Sequence, residues 1–293
     1  MKIRHAVVTA AGPDQRQLPL QRLVDRDGVE KSALRIVLEE AASGGVESIV
    51  VVHHRGDGEA YAKAAGDPGP RLEFVEQREP RGYGDALLAA REAIGDEPFL
   101  HLVGDHLYLR GDGAAEGKSC ARQVVEAAEA EQAAVSAVQP TREGLLTSFG
   151  AVGGPRLAAR GAATSRRDAW TIDAVLEKPT PTEAEQKLAA PGLRAGHYLC
   201  FFGIHALTPA LFPLLEKEIA AAAPHARVPL SPALARLCRQ ERHLALAVDG
   251  QRHDLGARHG VLYAQLALAL AGRDRDEVLT RLLELLVQKE RAR

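Results

Sequence analysis

Ser48-Ile49-Val50-Val51-Val52-His53 is the stretch that decides the fold. Its apolar residues are consecutive rather than alternating, which is the pattern of a strand buried on both faces of a parallel sheet. On its N-terminal side, Ile3–Thr9 reads as another strand. Lys31–Ser43 then reads as a helix with Leu34, Val37, Leu38 and Ala41 on one face. On its C-terminal side, Leu72–Glu76, Gly84–Ile94, Phe99–Val103, Ala121–Ala130 and Ala134–Val138 continue the alternation of strand and helix. That order predicts an α/β fold with a doubly wound sheet. Such sheets bind ligands beyond the carboxyl ends of their strands, so the loops after Thr9, Val75 and Val103 are the candidate site.

From about Phe149 the rhythm changes. Strand-like pieces (Phe149–Val152, Trp170–Leu176, Tyr198–Ile204, Leu244–Val248) alternate with helices near Thr182–Leu188, Pro209–Ala222 and Ser231–Arg239, and Arg258–Gly272 and Asp274–Arg293 read as helical. No internal repeat and no Gly/Ser/Pro-rich linker divides the chain. The expected organisation is one domain over 1–272 and a C-terminal helix over 273–293. The tail's apolar stripe (Leu279, Leu282, Leu283, Leu285, Leu286) would close the core or join subunits into a homo-oligomer, with core closure the favoured expectation.

Composition excludes several partners. The 293 residues carry 37 Lys+Arg against 39 Asp+Glu, a net charge of −2, so nothing points to nucleic acid or an anionic membrane. No apolar stretch approaches the ~18 residues of a membrane span, and the start lacks a secretory signal. Cys120, Cys200 and Cys238 are too few and too far apart for a disulfide framework or a CxxC metal site. A cytoplasmic protein is expected.

Familiar motifs fail when counted out. The turn Gly12-Pro13-Asp14-Gln15-Arg16-Gln17 is not the G-x-G-x-x-G of dinucleotide binding. Gly117-Lys118-Ser119 ends like a P-loop, but Asp112 stands where that motif needs glycine, leaving a solvated loop and helix start. H-E-x-x-H and G-x-S-x-G are absent. The eleven histidines form no ligand pair on a helix and read as surface or packing residues.

What remains is a set of strand-end loops. Ala10-Ala11-Gly12 is a small-residue turn where backbone N–H groups can approach a phosphate, followed by Arg16, Leu18-Pro19 and Arg22, whose guanidinium groups can grip two oxygens. Gln77 offers a paired donor and acceptor to a base edge, and Gly82 and Gly84 allow close backbone approach. Gly104-Asp105-His106 puts a carboxylate at a strand top, Glu177-Lys178-Pro179 follows another strand, and Arg252-His253-Asp254-Leu255-Gly256 brings a second carboxylate ahead of Arg258.

Taken in order, these loops resemble the bacterial UTP–glucose-1-phosphate uridylyltransferases. The matching residues are Ala11-Gly12, Arg16-x-Leu18-Pro19, Arg22, Gln77, Gly82-x-Gly84-x-Ala86, Gly95-Asp96-Glu97-Pro98, Asp105, Phe149-Gly150, Glu177-Lys178-Pro179, Gly196-x-Tyr198, Leu207-Thr208-Pro209 and Asp254-x-Gly256-x-Arg258-x-Gly260. They span nearly the whole chain. The resemblance implies a Rossmann-like mixed sheet of the sugar nucleotidyltransferase type and a reaction in which a sugar 1-phosphate attacks the α-phosphorus of UTP. It implies that Arg16 and Arg22 steady the triphosphate, that Ala11, Gly12, Gln77 and Gly82 hold the nucleoside, and that Asp105 and Asp254 hold Mg²⁺. Gly150, Glu177, Lys178 and Arg258 would serve the sugar phosphate.

The chain departs from the family at the first loop. Asp14 and Gln15, with Pro13 ahead, replace the glycine and threonine before the arginine. Arg22 and Arg258 stand for lysines and Asp85 for a histidine. Asp14 brings negative charge towards a triphosphate and Pro13 removes a backbone donor. Two other readings therefore stand beside UTP and glucose 1-phosphate. One is the same chemistry with dTTP or another sugar phosphate; the other is a catalytically impaired nucleotide-sugar-binding regulatory protein.

Overall fold

The computed structural model of the chain describes residues 1–111, 117–157 and 168–291. The opening stretch is the strand β4 (Ser48–His54). It lies parallel to both β1 (His5–Ala10) and β5 (Arg71–Gln77), with Val7 opposite Val50 and Val50 opposite Glu73. Its run is buried on both sides because helices cover both faces. Ile49 and Val51 belong to the core that also holds Leu34, Val37 and Leu38 of α1 (Ala33–Ser43) and residues of α5 (Cys120–Glu131), whereas Val50 and Val52 belong to the one built with α3 (Tyr83–Ala89), α7 (Leu211–Ala221) and α8 (Ser231–Gln240). Adjacent residues of one strand thus enter two different cores, as the pleat requires.

The main sheet has ten strands and is mixed. β6 (Phe99–Val103) runs parallel to β1, and β12 (His197–Leu207) is antiparallel to both β6 and β8 (Ala134–Arg142). β13 (His243–Ala247) lies parallel to β8 and carries β10 (Ala169–Thr171) on its edge. β9 (Ala151–Gly153) pairs with β12 and with β11 (Ala174–Leu176). β1 has β4 on one side and β6 on the other. Within this sheet the chain passes from β1 to β4 on one side and from β6 to β8 on the other, the switch point at which the loops after β1 and β6 run apart and leave a crevice.

Several boundaries differ from the sequence reading for identifiable reasons. Trp170–Leu176 is two strands, β10 on β13 and β11 on β9, because the chain changes partner at Ile172-Asp173: Ile172 N–H donates to His243 O and Asp173 N–H to Gly153 O. Lys31 and Ser32 belong to β3 (Glu30–Ser32), paired with β2 (Arg22–Val24); α1 starts one residue later, capped by the Ser32 hydroxyl accepting from Arg35 N–H. The Gly84–Ile94 helix breaks at Ala90 into α3 and α4 (Arg91–Ile94). Besides β2 and β3, two further strands were not legible as such, β7 (His106–Arg110) and β14 (Gly250–Asp254), which form a separate antiparallel pair. Ser119 caps α5, as a helix start at Gly117-Lys118-Ser119 implied; Asp112 of the rejected P-loop lies outside the described residues.

The expectation that the tail closes the core is corrected. α10 (Arg275–Arg291) leaves Leu283, Leu285, Leu286 and Val287 more than half exposed, and α9 (Gly260–Leu270) leaves Leu262 and Tyr263 likewise. Among the described residues the core takes Ala264 and Leu268 from α9, with Val261 and Ala267 packed against it, and none from α10. Residues 292 and 293 of the expected tail lie outside the described residues. No helix among the described residues is long and apolar enough to cross a membrane.

Candidate active site

A cleft of about 740 Å³ opens over the carboxyl ends of β1, β5 and β6. Of the residues expected to act, Ala11, Gly12, Gln77, Gly82, Asp105, Gly150, Glu177, Lys178 and Asp254 line it. Arg16, Arg22 and Arg258 do not.

The two carboxylates meet through the β7–β14 ladder. β6 ends at Val103, Gly104 N–H donates to Thr9 O (2.8 Å), and the chain turns through Asp105 into β7. In the ladder His106 stands opposite Asp254, and Leu255 N–H donates to Asp105 O (2.9 Å). Asp105, His106 and Asp254 each bring a ligand atom within 4.8 Å of the others. One oxygen of each carboxylate is oriented by the protein: His106 Nδ1 lies 2.7 Å from Asp105 Oδ1, and Gly256 N–H donates to Asp254 Oδ1 (2.8 Å). Burial, the largest single influence, pushes the Asp105 carboxyl up, but His106, its own backbone N–H and the Gln15 side chain together outweigh it and hold the group below its ordinary value. Two pre-oriented carboxylates are hard oxygen donors, the set that suits a divalent cation such as Mg²⁺.

At the opposite wall, Glu177 Oε2 accepts from Ser231 Oγ (2.5 Å), and Lys178 adopts a left-handed backbone (φ 46°) before Pro179. A lysine held in that region is a strained position retained beside a cleft. Gly150 sits where a Cβ would come within 2.8 Å of both Phe201 Cδ2 and Ser231 Oγ, so only glycine lets these elements close on one another.

Arg16 and Arg22 are committed elsewhere, and Arg258 faces solvent. Arg16 makes a two-point pair with Asp57, Nε to Oδ2 at 2.7 Å and Nη2 to Oδ1; Asp57, through that hydrogen bond, holds the guanidinium pKa above its ordinary value. Arg22 is exposed on β2 and pairs with Glu30 (2.6 Å), and Arg258 is exposed before α9. Positive charge reaches the cleft from residues the sequence reading did not assign. Arg227 lies 3.3 Å from Asp14. Arg252 stacks 3.7 Å above the Phe149 ring, its pKa lowered by burial. Arg252 and Asp254 are two apart on one strand and share a face, a period-two signal that could have flagged Arg252. Arg227, in the loop before α8, carries no such signal. His106 was visible only as the neighbour of Asp105.

The histidines read as packing residues include a buried group under the cleft floor. His101 and His205 stack at 5.8 Å, and Ser136 Oγ lies 2.7 Å from His205 and 2.8 Å from His243. Burial pushes His101 down to about 3 and His243 to about 4, so these rings are neutral.

Comparison with known proteins gives the family and the fold. A family model described as nucleotidyl transferase matches residues 6–261. UTP–glucose-1-phosphate uridylyltransferase 1 of Streptococcus pyogenes serotype M3 is 28% identical, covering 92% of this chain and 90% of its own. The enzyme of that name from Streptococcus pneumoniae serotype 4 is also 28% identical, over 92% of this chain and 91% of its own. Among solved structures, a UDP-glucose pyrophosphorylase complexed with UDP-glucose superposes with a TM-score of 0.71 at 21% identity, covering 90% of this chain and 98% of that one. A UTP-bound UGPase from Acinetobacter baumannii gives 0.71 at 21%, covering 97% and 99%.

Proposed function

Because this chain belongs to the nucleotidyl transferase family, we propose that it transfers the uridylyl group of UTP to a sugar 1-phosphate, glucose 1-phosphate first, giving a UDP-sugar and pyrophosphate. The observation that carries this reading is the convergence of Asp105 and Asp254 with Gln77, Gly82, Glu177 and Lys178 on one cleft. Relatives named for the same reaction over nine-tenths of the chain support it. A sugar-phosphate oxygen would attack the α-phosphorus as the bond to pyrophosphate breaks, so the protein's work is positioning and charge stabilisation. Asp105 and Asp254 would hold Mg²⁺, which when bound neutralises charge on the phosphoryl oxygens. The Ala11-Gly12 turn would lie under the nucleotide, Gln77 and Gly82 at the base, and Lys178 on the sugar phosphate, with Glu177 and Gly150 at the sugar. Arg252 and Arg227, rather than Arg16, Arg22 and Arg258, would supply guanidinium charge. Membrane-impermeant phosphorylated substrates and three free thiols fit the cytoplasm.

The test is pyrophosphate release with glucose 1-phosphate and Mg²⁺, supplying UTP, dTTP, ATP, CTP and GTP separately. Release with UTP is expected; release only with another nucleotide keeps the chemistry and changes the substrate. Binding without turnover is the second reading, favoured by Asp14 at the cleft mouth and by the capture of Arg16 by Asp57. Tight UTP binding, no pyrophosphate with any nucleotide and no dependence on Mg²⁺ would select it.

Asp14 also yields a quantitative expectation. Its charge would face a triphosphate bound in the cleft and pairs with Arg227, but both side chains are exposed, so the effect is screened. Asp14→Gly should lower the KM for UTP by roughly fivefold, more at low salt. A KM unchanged at every salt concentration would mean that this charge is not felt by the substrate.

A further inference from the structure

Gln77 ends β5 at the cleft with only 4% of its surface exposed. Its Nε2 donates to Gly82 O (3.1 Å) and to Asp85 Oδ2 (2.6 Å). A main-chain carbonyl and a carboxylate can only accept, so the nitrogen must be the atom that faces both. Turning the amide over would set Oε1 against two oxygens and forfeit both hydrogen bonds. Oε1 is left with no protein partner among the described residues, and it is the atom Gln77 offers the cleft.

Both acceptors are held in place. Gly82 has φ +99°, and a Cβ there would lie 3.1 Å from Val228 N and O. Val228 O in turn accepts from Gly84 N–H at 2.9 Å. Asp85 lies in the first turn of α3, where a carboxylate is favoured by the helix dipole. Resting on the reading of the cleft as a nucleoside triphosphate site, we infer that Asp85 is a specificity-positioning residue. By locking Gln77 with its oxygen towards the cleft, it selects bases that present an imide N–H, uracil and thymine, against cytosine. Cytosine seated the same way presents its ring nitrogen, an acceptor, to Oε1, and two acceptors repel. Thymine shares the imide, so this device does not separate UTP from dTTP.

The experiment is calorimetric titration of UTP and CTP into the wild-type protein, Asp85→Leu and Asp85→Asn. The readout is the ratio of the two Kd values on each preparation, which a partly unfolded sample does not alter. Wild type should prefer UTP over CTP by about a hundredfold, as expected for a buried hydrogen-bonding group mismatched by the wrong ligand. Asp85→Leu removes the charged acceptor and leaves Gly82 O, so the ratio should fall to about tenfold. Asp85→Asn can accept from Gln77 Nε2 in one amide rotamer or donate to a turned-over Oε1 in the other, so it too leaves the orientation to Gly82 O, and the ratio should fall towards that of Asp85→Leu. Equal weakening of both nucleotides by Asp85→Leu, with the ratio unmoved, would reduce Asp85 to a structural role and overturn the inference alone. Wild-type protein that binds neither nucleotide would overturn the nucleotide reading of the cleft, and the inference with it.

Discussion

Asp105→Asn is expected to cut pyrophosphate release by about a thousandfold or more, equivalent to roughly 4 kcal/mol of transition-state stabilisation. Asparagine keeps the volume and an oxygen that can accept from His106, so the β7–β14 junction should survive. What it loses is the negative charge, and with it a hard ligand for the cation that Asp105 and Asp254 are arranged to hold. The burial that raises the Asp105 pKa is outweighed by His106, the backbone N–H and Gln15 together, so the wild-type group is ionised well below neutral pH. The loss should therefore be present across the neutral range instead of appearing only in acid. Asp254→Asn should be comparably damaging, and the double variant scarcely worse than either, because the two act as one site. Asp105→Asn turning over within tenfold of wild type would remove this carboxylate from the chemistry.

Lys31→Met should lower stability by about 3 kcal/mol, seen as a fall in Tm of roughly 5–10 °C. Lys31 is 7% exposed and its ammonium is held by Asp25 Oδ2 (2.7 Å), Asp27 Oδ2 (2.8 Å) and Glu39 Oε2 (2.8 Å). Methionine fills the space, but it strands three mutually repelling carboxylates, two of them largely or partly withdrawn from water. Adding Asp25→Asn to the variant should recover part of the loss, and a double variant no more stable than Lys31→Met would argue against charge as the cause. The sign with pH follows from Asp27, whose pKa is lowered by the hydrogen bond to Lys31. A carboxyl with a lowered folded pKa contributes fully above its unfolded value, about 4, and loses that contribution as pH falls through the folded pKa. The difference in Tm between wild type and Lys31→Met should thus narrow in acid.

The positions of the strands could be read because their signals are local. Ile49–Val52 is apolar without interruption since both its neighbours and its covering helices are apolar, and the same cause marks Ile3–Thr9 and Phe99–Val103. The family resemblance also survived divergence, since Ala11, Gly12, Gln77, Gly82, Asp105, Gly150, Glu177, Lys178 and Asp254 do line one cleft. Polar short strands were harder. Gly250–Asp254 carries Gln251, Arg252 and His253, with no apolar pattern to mark it, and it is a strand only because β7 lies beside it.

What the sequence by itself determined is the doubly wound core and which strand ends carry small, amide and acidic residues, because burial periodicity and residue chemistry are properties of neighbours in the chain. What only the tertiary structure decided is the use made of each side chain. Arg16 meets an aspartate 41 residues away and is spent on it, while Gln77 takes its orientation from Asp85 and Gly82. Asp105 reaches Asp254 only because a ladder sets His106 opposite it, and the leucines of α10 stay exposed because the packed core draws on α9 and not on α10. Hydrogen bonds and ion pairs act over a few ångströms, and which groups come that close is set by how distant segments pack.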